Sequence, residues 1–321
     1  MENKTEKKFA FFNRDITLIK SSSGNIFSRN PDDCEFQNNV KEIIESMLDD
    51  GFHIVITTNQ PGISKGTTTR ETQETICRNI INSFDKEYRP SFRYFIGEET
   101  EKSKPNKEIL ENILENEKMD ILNSVVIGDT KTDEKFAKNI NLPFKPSHKF
   151  FKQSQSLTVM VGFPACGKTI HSREFHPFDV RVCLEDIIHS INEEYKIEWK
   201  YFYYNTEEKL ITDALSNKLN IVIDRTNVNK KRRKRFIDIT EKYIKQREAH
   251  IHRQEEIKII CKYFKIPIEI CKENYKNTKE ISEEKLWEVE DIFDRLESEF
   301  EEPTLDEGFD EIIHILPQDL V

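Results

Sequence analysis

Long apolar runs are missing from this 321-residue chain. No stretch reaches the ~18 apolar residues that span a bilayer, so no membrane helix is expected. The opening residues, Met1-Glu2-Asn3-Lys4-Thr5-Glu6-Lys7-Lys8, are polar and mixed in charge, which excludes a secretory signal. Cytosol or nucleus is the expected location. Cysteine is sparse and scattered, at 34, 77, 166, 183, 261 and 271, with no CxxC pair. Neither a zinc site nor a disulfide framework is indicated, and reduced thiols are expected. A positive charge balance is missing too. With 49 Lys and Arg against 59 Asp and Glu, the net charge is −10. Nucleic-acid binding rests on neutralising phosphates, so any polynucleotide site here must be a local basic groove. There is no internal repeat and no low-complexity segment.

What is present indicates a soluble, highly charged globular protein. Apolar content is 36% and charged content 34%, but apolar runs recur along the whole length. At roughly 100–200 residues per domain, the length suggests two domains. Two units each open with a short apolar strand that runs into a phosphate-chemistry motif. The first begins at Phe9-Ala10-Phe11-Phe12, with further strands at His53–Thr57 and Ser124–Ile127. Helices are predicted at Val40–Leu48, Glu71–Phe84 and Ile109–Leu114. The second begins at Leu157–Gly162, with strands at Leu219–Asp224 and Ile257–Phe264. Strands alternating with helices imply an α/β class with two doubly wound parallel-sheet domains. The polar stretch Lys152–Ser156 is the predicted linker, which divides the chain into 1–153 and 154–321.

The second unit carries Gly162-Phe163-Pro164-Ala165-Cys166-Gly167-Lys168-Thr169, a GxxxxGK[ST] loop directly after a strand. Glycines let backbone N–H groups curl around an anion, and a following helix adds its positive end. Gly162, Gly167, Lys168 and Thr169 are the predicted ATP-binding residues, with Lys168 on the β/γ-phosphates and Thr169 on Mg²⁺. A chance match is the alternative. Asp186 lies shortly after the P-loop helix and could accept the proton of an attacking hydroxyl. An ordinary helix N-cap is the competing reading. Asp224 ends an apolar strand at the carboxyl edge of the sheet, where α/β ligands bind, and is the second candidate Mg²⁺ ligand. Lys272 and Lys276 sit at helical spacing and could face the triphosphate together, or form a solvated face. The run Lys230-Lys231-Arg232-Arg233-Lys234-Arg235 has three readings: a nuclear localisation signal, a solvated face, or a polynucleotide contact through Arg232, Arg233 and Arg235.

These motifs carry a family resemblance. The P-loop, Asp186, Ile223-Asp224-Arg225-Thr226-Asn227 and the tail Glu302–Phe309 resemble the kinase domain of polynucleotide kinase 3′-phosphatases. The resemblance covers nearly the whole chain. It implies ATP and Mg²⁺ as cofactors, Asp186 as general base, Lys168 and Asp224 as catalytic residues, and a nucleic acid with a 5′-hydroxyl end, single- or double-stranded, as partner. A monomer is expected. In that family an arginine usually precedes the base and arginines line the nucleotide lid. Here Glu185 and lysines stand there.

The first unit resembles the haloacid dehalogenase superfamily, whose DxDGT motif supplies a nucleophilic Asp and an acid/base Asp. Asn13-Arg14-Asp15-Ile16-Thr17 occupies that motif. Thr58 resembles the phosphoryl-holding Thr, Lys104 the charge-balancing Lys, and Gly128-Asp129 with Asp133 the Mg²⁺-binding GDxxxD. With Asn13 in the nucleophile's place, loss of 3′-phosphatase turnover and a weakened metal site at Asp129 are expected. Arg14 and Ile16 beside it read as natural loss of the site. Three alternatives stand: a small-molecule P-loop kinase, a non-catalytic nucleic-acid scaffold, and an enzyme with both activities. No phosphopeptide-binding module is expected before Phe9.

Overall fold

The computed structural model describes residues 6–98, 103–107, 113, 117–190, 200–251, 256–279 and 286–320. The chain divides into two compact units, Met1–Gln153 and Ser154–Val321. The strands of the first are β1 (Glu6–Asn13), β2 (Ile19–Lys20), β3 (Glu35–Phe36), β4 (Phe52–Asn59), β5 (Phe92–Gly97), β6 (Lys118–Met119), β7 (Val125–Gly128) and β8 (Phe144–Pro146). Its main sheet runs β5-β4-β1-β7-β8, with β6 joined to the start of β1. All of these pairings are parallel. A short antiparallel pair, β2 with β3, stands apart.

The burial of β1 explains its central place. Phe9, Ala10, Phe11 and Phe12 are all inaccessible to solvent, so both faces are covered, as a central parallel strand requires. Ala10 and Phe12 pack on one side with Ile54, Ile44, Ile76 and Ile80, drawing in the helices Val40–Asp49 and Arg70–Asn82. Phe9 and Phe11 pack on the other with Val55, Val126 and Phe136 of the helix Lys131–Asn139. Each buried Phe contributes about 1.5–3 kcal/mol relative to exposure.

The second unit contains β9 (Gln155–Val161), β10 (Val180–Val182), β11 (Ile221–Ile223), β12 (Ile257–Phe264) and β13 (Glu311–Ile315), in the order β10-β11-β9-β12-β13. Every neighbour is parallel. Parallel strands put all their carboxyl ends on one edge, and the site residues follow from that. Asn13 and Asp129 lie at or beyond the ends of β1 and β7. The P-loop and Asp224 lie beyond β9 and β11.

The alternation of strands and helices predicted this α/β architecture, with differences in detail. Gln155 and Ser156 belong to β9 rather than to a linker. Leu219 and Asn220 precede β11 instead of opening it. The helix predicted at Ile109–Leu114 lies outside the described residues except for Ile113. Strands β5, β10 and β13 carry no strong sequence signal. β10 is three residues with an arginine at its centre, and β13 is a short edge strand. Among the described residues, no helix is long and apolar enough to cross a membrane.

Candidate active sites

In the first unit, β1, β4 and β7 bring the predicted residues together. Asn13 pairs in register with Thr57, and Phe12 with Ile127. The Asn13 amide donates to Asp129 Oδ1 at 2.8 Å and accepts from Lys104 Nζ at 3.0 Å. Lys104 also donates to Asp133 Oδ1 at 2.5 Å. The other oxygen of Asp133 accepts from the backbone of Asp129 and Thr130 and from the Thr130 hydroxyl, forming a capping box that starts the helix Lys131–Asn139. Asp133 is therefore fully engaged in holding structure.

Asp129 also accepts from the Thr17 hydroxyl on Oδ1, while its Oδ2 is buried without a hydrogen-bond partner. Burial first, and then the neighbouring Asp133, push its carboxyl up to about 7. The donor set does not fit a divalent cation. A cation needs carboxylate oxygens turned toward it, whereas Asn13 turns an N–H toward Asp129. Among the described residues, no group of three or more His, Cys, Asp or Glu forms a metal-holding cluster.

Asp15 is bound even more tightly. Arg14, with 0% exposure, forks onto it at 2.9 and 3.2 Å. Thr58 Oγ1 donates to it at 3.0 Å and Gln60 Nε2 at 2.9 Å. Arg14 is held in turn by Gln73 Oε1 at 2.6 Å. Thr58, the expected phosphoryl contact, is thus committed to Asp15. Gln73 had no motif to mark it. Ile16 has φ 67°, in the left-handed region where glycine is unstrained and a β-branched residue is an outlier.

In the second unit, the P-loop joins β9 to the helix Lys168–Phe175. Gly167 has φ 95°, and a Cβ there would meet Leu320 Cδ2 at 2.9 Å. A Cβ on Gly162 would meet Cys166 Sγ at 2.7 Å. Lys168 Nζ lies inside the loop, donating to the carbonyls of Gly162 at 3.0 Å and Phe163 at 2.5 Å. Burial works to raise the Cys166 thiol, but hydrogen bonding with Cys271 and the Lys168 charge outweigh it and bring the thiol down to about 6. The loop after β11 is stitched to this one: Gly162 N–H donates to Thr226 O at 2.9 Å and Asn227 Nδ2 to Met160 O at 2.8 Å.

That stitching sets Asp224 beside the P-loop helix, where Ser172 Oγ donates to its Oδ2 at 3.4 Å. Arg181 of β10 donates to the same oxygen at 2.8 Å and reaches Asp186 with its other arm. Asp186 is not an N-cap. The helix Leu184–His189 begins before it, with Cys183 as N-cap, so Asp186 lies in the first turn with its side chain 55% exposed. Sequence reasoning missed Arg181; its signal is an arginine inside an otherwise apolar strand. Thr169, one turn from Ser172 on the same helix face, together with Asp224 fits Mg²⁺, which keeps several waters and takes few protein ligands.

Residues 8–151 match the polynucleotide kinase 3 phosphatase family and residues 157–303 match the AAA domain family. The first unit thus carries a polynucleotide kinase 3 phosphatase domain, and an AAA domain follows it in the second. It is 26% identical to the bifunctional polynucleotide phosphatase/kinase of Schizosaccharomyces pombe, over 95% of this chain and 79% of that one. Its first unit is 34% identical to a probable D-glycero-D-manno-heptose-1,7-bisphosphate 7-phosphatase of Thermoplasma volcanium, over 43% of this chain and 97% of that one. A solved fungal RNA kinase shows a weak likeness, with a TM-score of 0.33 at 19% identity over 50% of this chain and 74% of that one. The chain is a kinase-type enzyme with a phosphatase-like domain in front.

Two expectations drawn from charge and spacing change with the geometry. Lys272 and Lys276 do face the same way, but toward Glu290 of the helix Leu286–Ser298, which pairs with both. On the helix Ile268–Lys279, the P-loop is met instead by Asn274, which donates to Ala165 O at 3.3 Å. The lid lysines thus pair across helices with an exposed carboxylate, a contact that can exchange partners at little cost. Arg233 is the second correction. It has 0% exposure and forks onto Glu307 at 2.7 and 2.8 Å, so it ties the helix Lys230–Ile251 to the tail and cannot touch a polynucleotide. Arg232 is partly exposed and paired with Glu299 at 2.7 Å. Arg235 is paired with Glu207 at 2.6 Å.

Proposed function

We propose that the second unit transfers the γ-phosphoryl group of ATP to the 5′-hydroxyl end of a polynucleotide, and that the first unit has lost 3′-phosphatase turnover. The observation that carries the kinase reading is one run of contacts, from Ser172 on the P-loop helix through Asp224 and Arg181 to Asp186. It links the phosphate-binding element to a solvent-exposed carboxylate that can take a proton. In this reading the hydroxyl oxygen attacks the γ-phosphorus while Asp186 accepts its proton. Lys168 leaves the loop carbonyls and offsets charge on the transferred group. Arg181 keeps Asp186 and Asp224 at a constant separation. Mg²⁺, when bound near Thr169 and Asp224, would neutralise charge on the phosphates.

The phosphatase loss rests on Asn13. A carboxamide is a poor nucleophile, and this one donates to Asp129 where a cation would have to sit. The partner would be a nucleic-acid end met by a monomer in nucleus or cytosol. A small-molecule acceptor is the second reading, favoured by the net charge of −10.

Both are tested by incubating labelled ATP and a 5′-hydroxyl oligonucleotide with wild type, Lys168→Ala and Asp186→Ala. Wild type should transfer label. Each variant should fall by at least ~10²-fold. A wild type that hydrolyses ATP but leaves the oligonucleotide unlabelled would move the reading to a small-molecule acceptor.

A further inference from the structure

Two cysteines meet where the helix Ile268–Lys279 rests on the P-loop. Cys166 is the loop residue before Gly167. Its Sγ lies 3.3 Å from Lys168 Nζ, the group that occupies the loop interior. The Cys166 thiol also hydrogen-bonds with Cys271 of the helix. Asn274, one turn on from Cys271, donates to Ala165 O at 3.3 Å, so one face of the helix covers Ala165 and Cys166 together. Cys166 is 1% exposed and Cys271 0%.

A buried cysteine usually serves as a small apolar filler. At Cys34, Cys77, Cys183 and Cys261 burial pushes the thiol up, which keeps it protonated and inert. Cys166 differs. An ammonium in contact and a second thiol beside it favour its thiolate, the nucleophilic form. The interior that Lys168 occupies is where a phosphate must enter, so a water-sized oxidant has a way to the sulfur. A thiolate with a resolving thiol in contact is what a redox-sensing pair requires. In a reducing compartment such pairs close only transiently.

We infer that Cys166 and Cys271 form an oxidisable pair, closed to a disulfide by a hydroperoxide, and that closure shuts the P-loop to nucleotide. The Cys166 thiolate attacks one peroxide oxygen, the O–O bond breaks, hydroxide leaves and a sulfenic acid forms on Cys166. The Cys271 sulfur then attacks the Cys166 sulfur. The S–S bond forms, and the sulfenic hydroxyl leaves as water with the Cys271 proton. Two thiols lose two electrons to the peroxide, and the first hydroxide becomes water with the proton that Cys166 had released. Tied at Cys166 and held at Ala165 O, the loop cannot turn its N–H groups around a phosphate. Loss of one such charge-assisted hydrogen bond weakens binding at least ~tenfold.

The test treats the whole protein with hydrogen peroxide, blocks the remaining thiols and maps peptides without reduction. Wild type should yield a peptide linking Cys166 to Cys271. The linked protein should bind ATP at least ~tenfold more weakly, with affinity restored by dithiothreitol. Saturating ATP should slow the linkage, because the triphosphate fills the route to the sulfur. Cys271→Ala should bind ATP as wild type does before treatment. After it, dimedone should label Cys166 in this variant and not in wild type, because the sulfenic acid has lost its partner. A wild type that yields no linked peptide, or a linked form that binds ATP as tightly as the reduced protein, would overturn the inference. Neither readout involves an oligonucleotide, so failure of the thiol pair leaves the kinase reading standing, and failure of label transfer leaves the thiol pair standing.

Discussion

In the first unit Arg14 and Asp15 are bonded to each other with side chains 0% and 5% exposed; in the second, Arg181 and Asp186 are bonded with side chains 18% and 55% exposed. Both pairs stand at the carboxyl edge of a parallel sheet, among residues of phosphate chemistry. The difference is what else each aspartate must satisfy. Asp15 has Thr58, Gln60 and the arginine fork, which crowd its Oδ2 and hold the carboxylate inside the fold. Asp186 has one arginine arm and water. An ion pair sealed away from solvent becomes a strut, because breaking it leaves an unpaired buried charge. The same pair left open exchanges partners at little cost.

The contrast can be broken most sharply by trying to reopen the first site. Asn13→Asp alone should release no phosphate from a 3′-phosphate oligonucleotide, because Asp15 stays locked. Asn13→Asp with Arg14→Val and Ile16→Gly should release it at a rate several orders of magnitude above background, measured as free phosphate in the presence of Mg²⁺. Turnover by the single variant would show that the Arg14 fork is no barrier.

A smaller effect tests the strut directly. Arg14→Met should lower unfolding stability by about 3–5 kcal/mol, read from the denaturant midpoint, because Asp15 is left buried without its cation. A loss under 1 kcal/mol would place Asp15 in a wetter site than its 4% exposure indicates.

The Asp129 carboxyl offers a pH test. Its folded-state value, about 7, lies above the ordinary 3.8, so the folded protein binds the extra proton. Stability should therefore fall as pH rises from about 4 to about 7 and then level off. Asp129→Asn should remove that fall, leaving the variant relatively more stable than wild type at pH 8 than at pH 4, by more than ~1 kcal/mol. The smallest expected change is Ile16→Gly. Relief of the left-handed conformation is offset by glycine's freedom in the unfolded chain, for a net gain of about 0.5 kcal/mol in thermal or chemical unfolding.

Much of this was legible before any coordinates. Strands ending in Asn13, Asp129 and Asp224, and a P-loop after β9, follow from apolar runs that stop at polar residues, and parallel pairing then gathers those stops on one edge. What was not legible shares one cause. Lys272, Lys276 and Arg233 were assigned from charge and spacing, but their roles are set by carboxylates distant in sequence, Glu290 and Glu307. Arg181 matters for the same reason and carried no motif.

By itself the sequence determined the fold class and the inventory of chemistry, because periodicity and strand-ending motifs are local properties of the chain. It also determined that Asn13 replaces a nucleophile, since that is a matter of covalent identity. Only the tertiary structure decided which charges are already spent. Whether a lysine, arginine or aspartate can meet a substrate depends on its burial and on its partners across the fold, and neither is encoded in its neighbours along the chain.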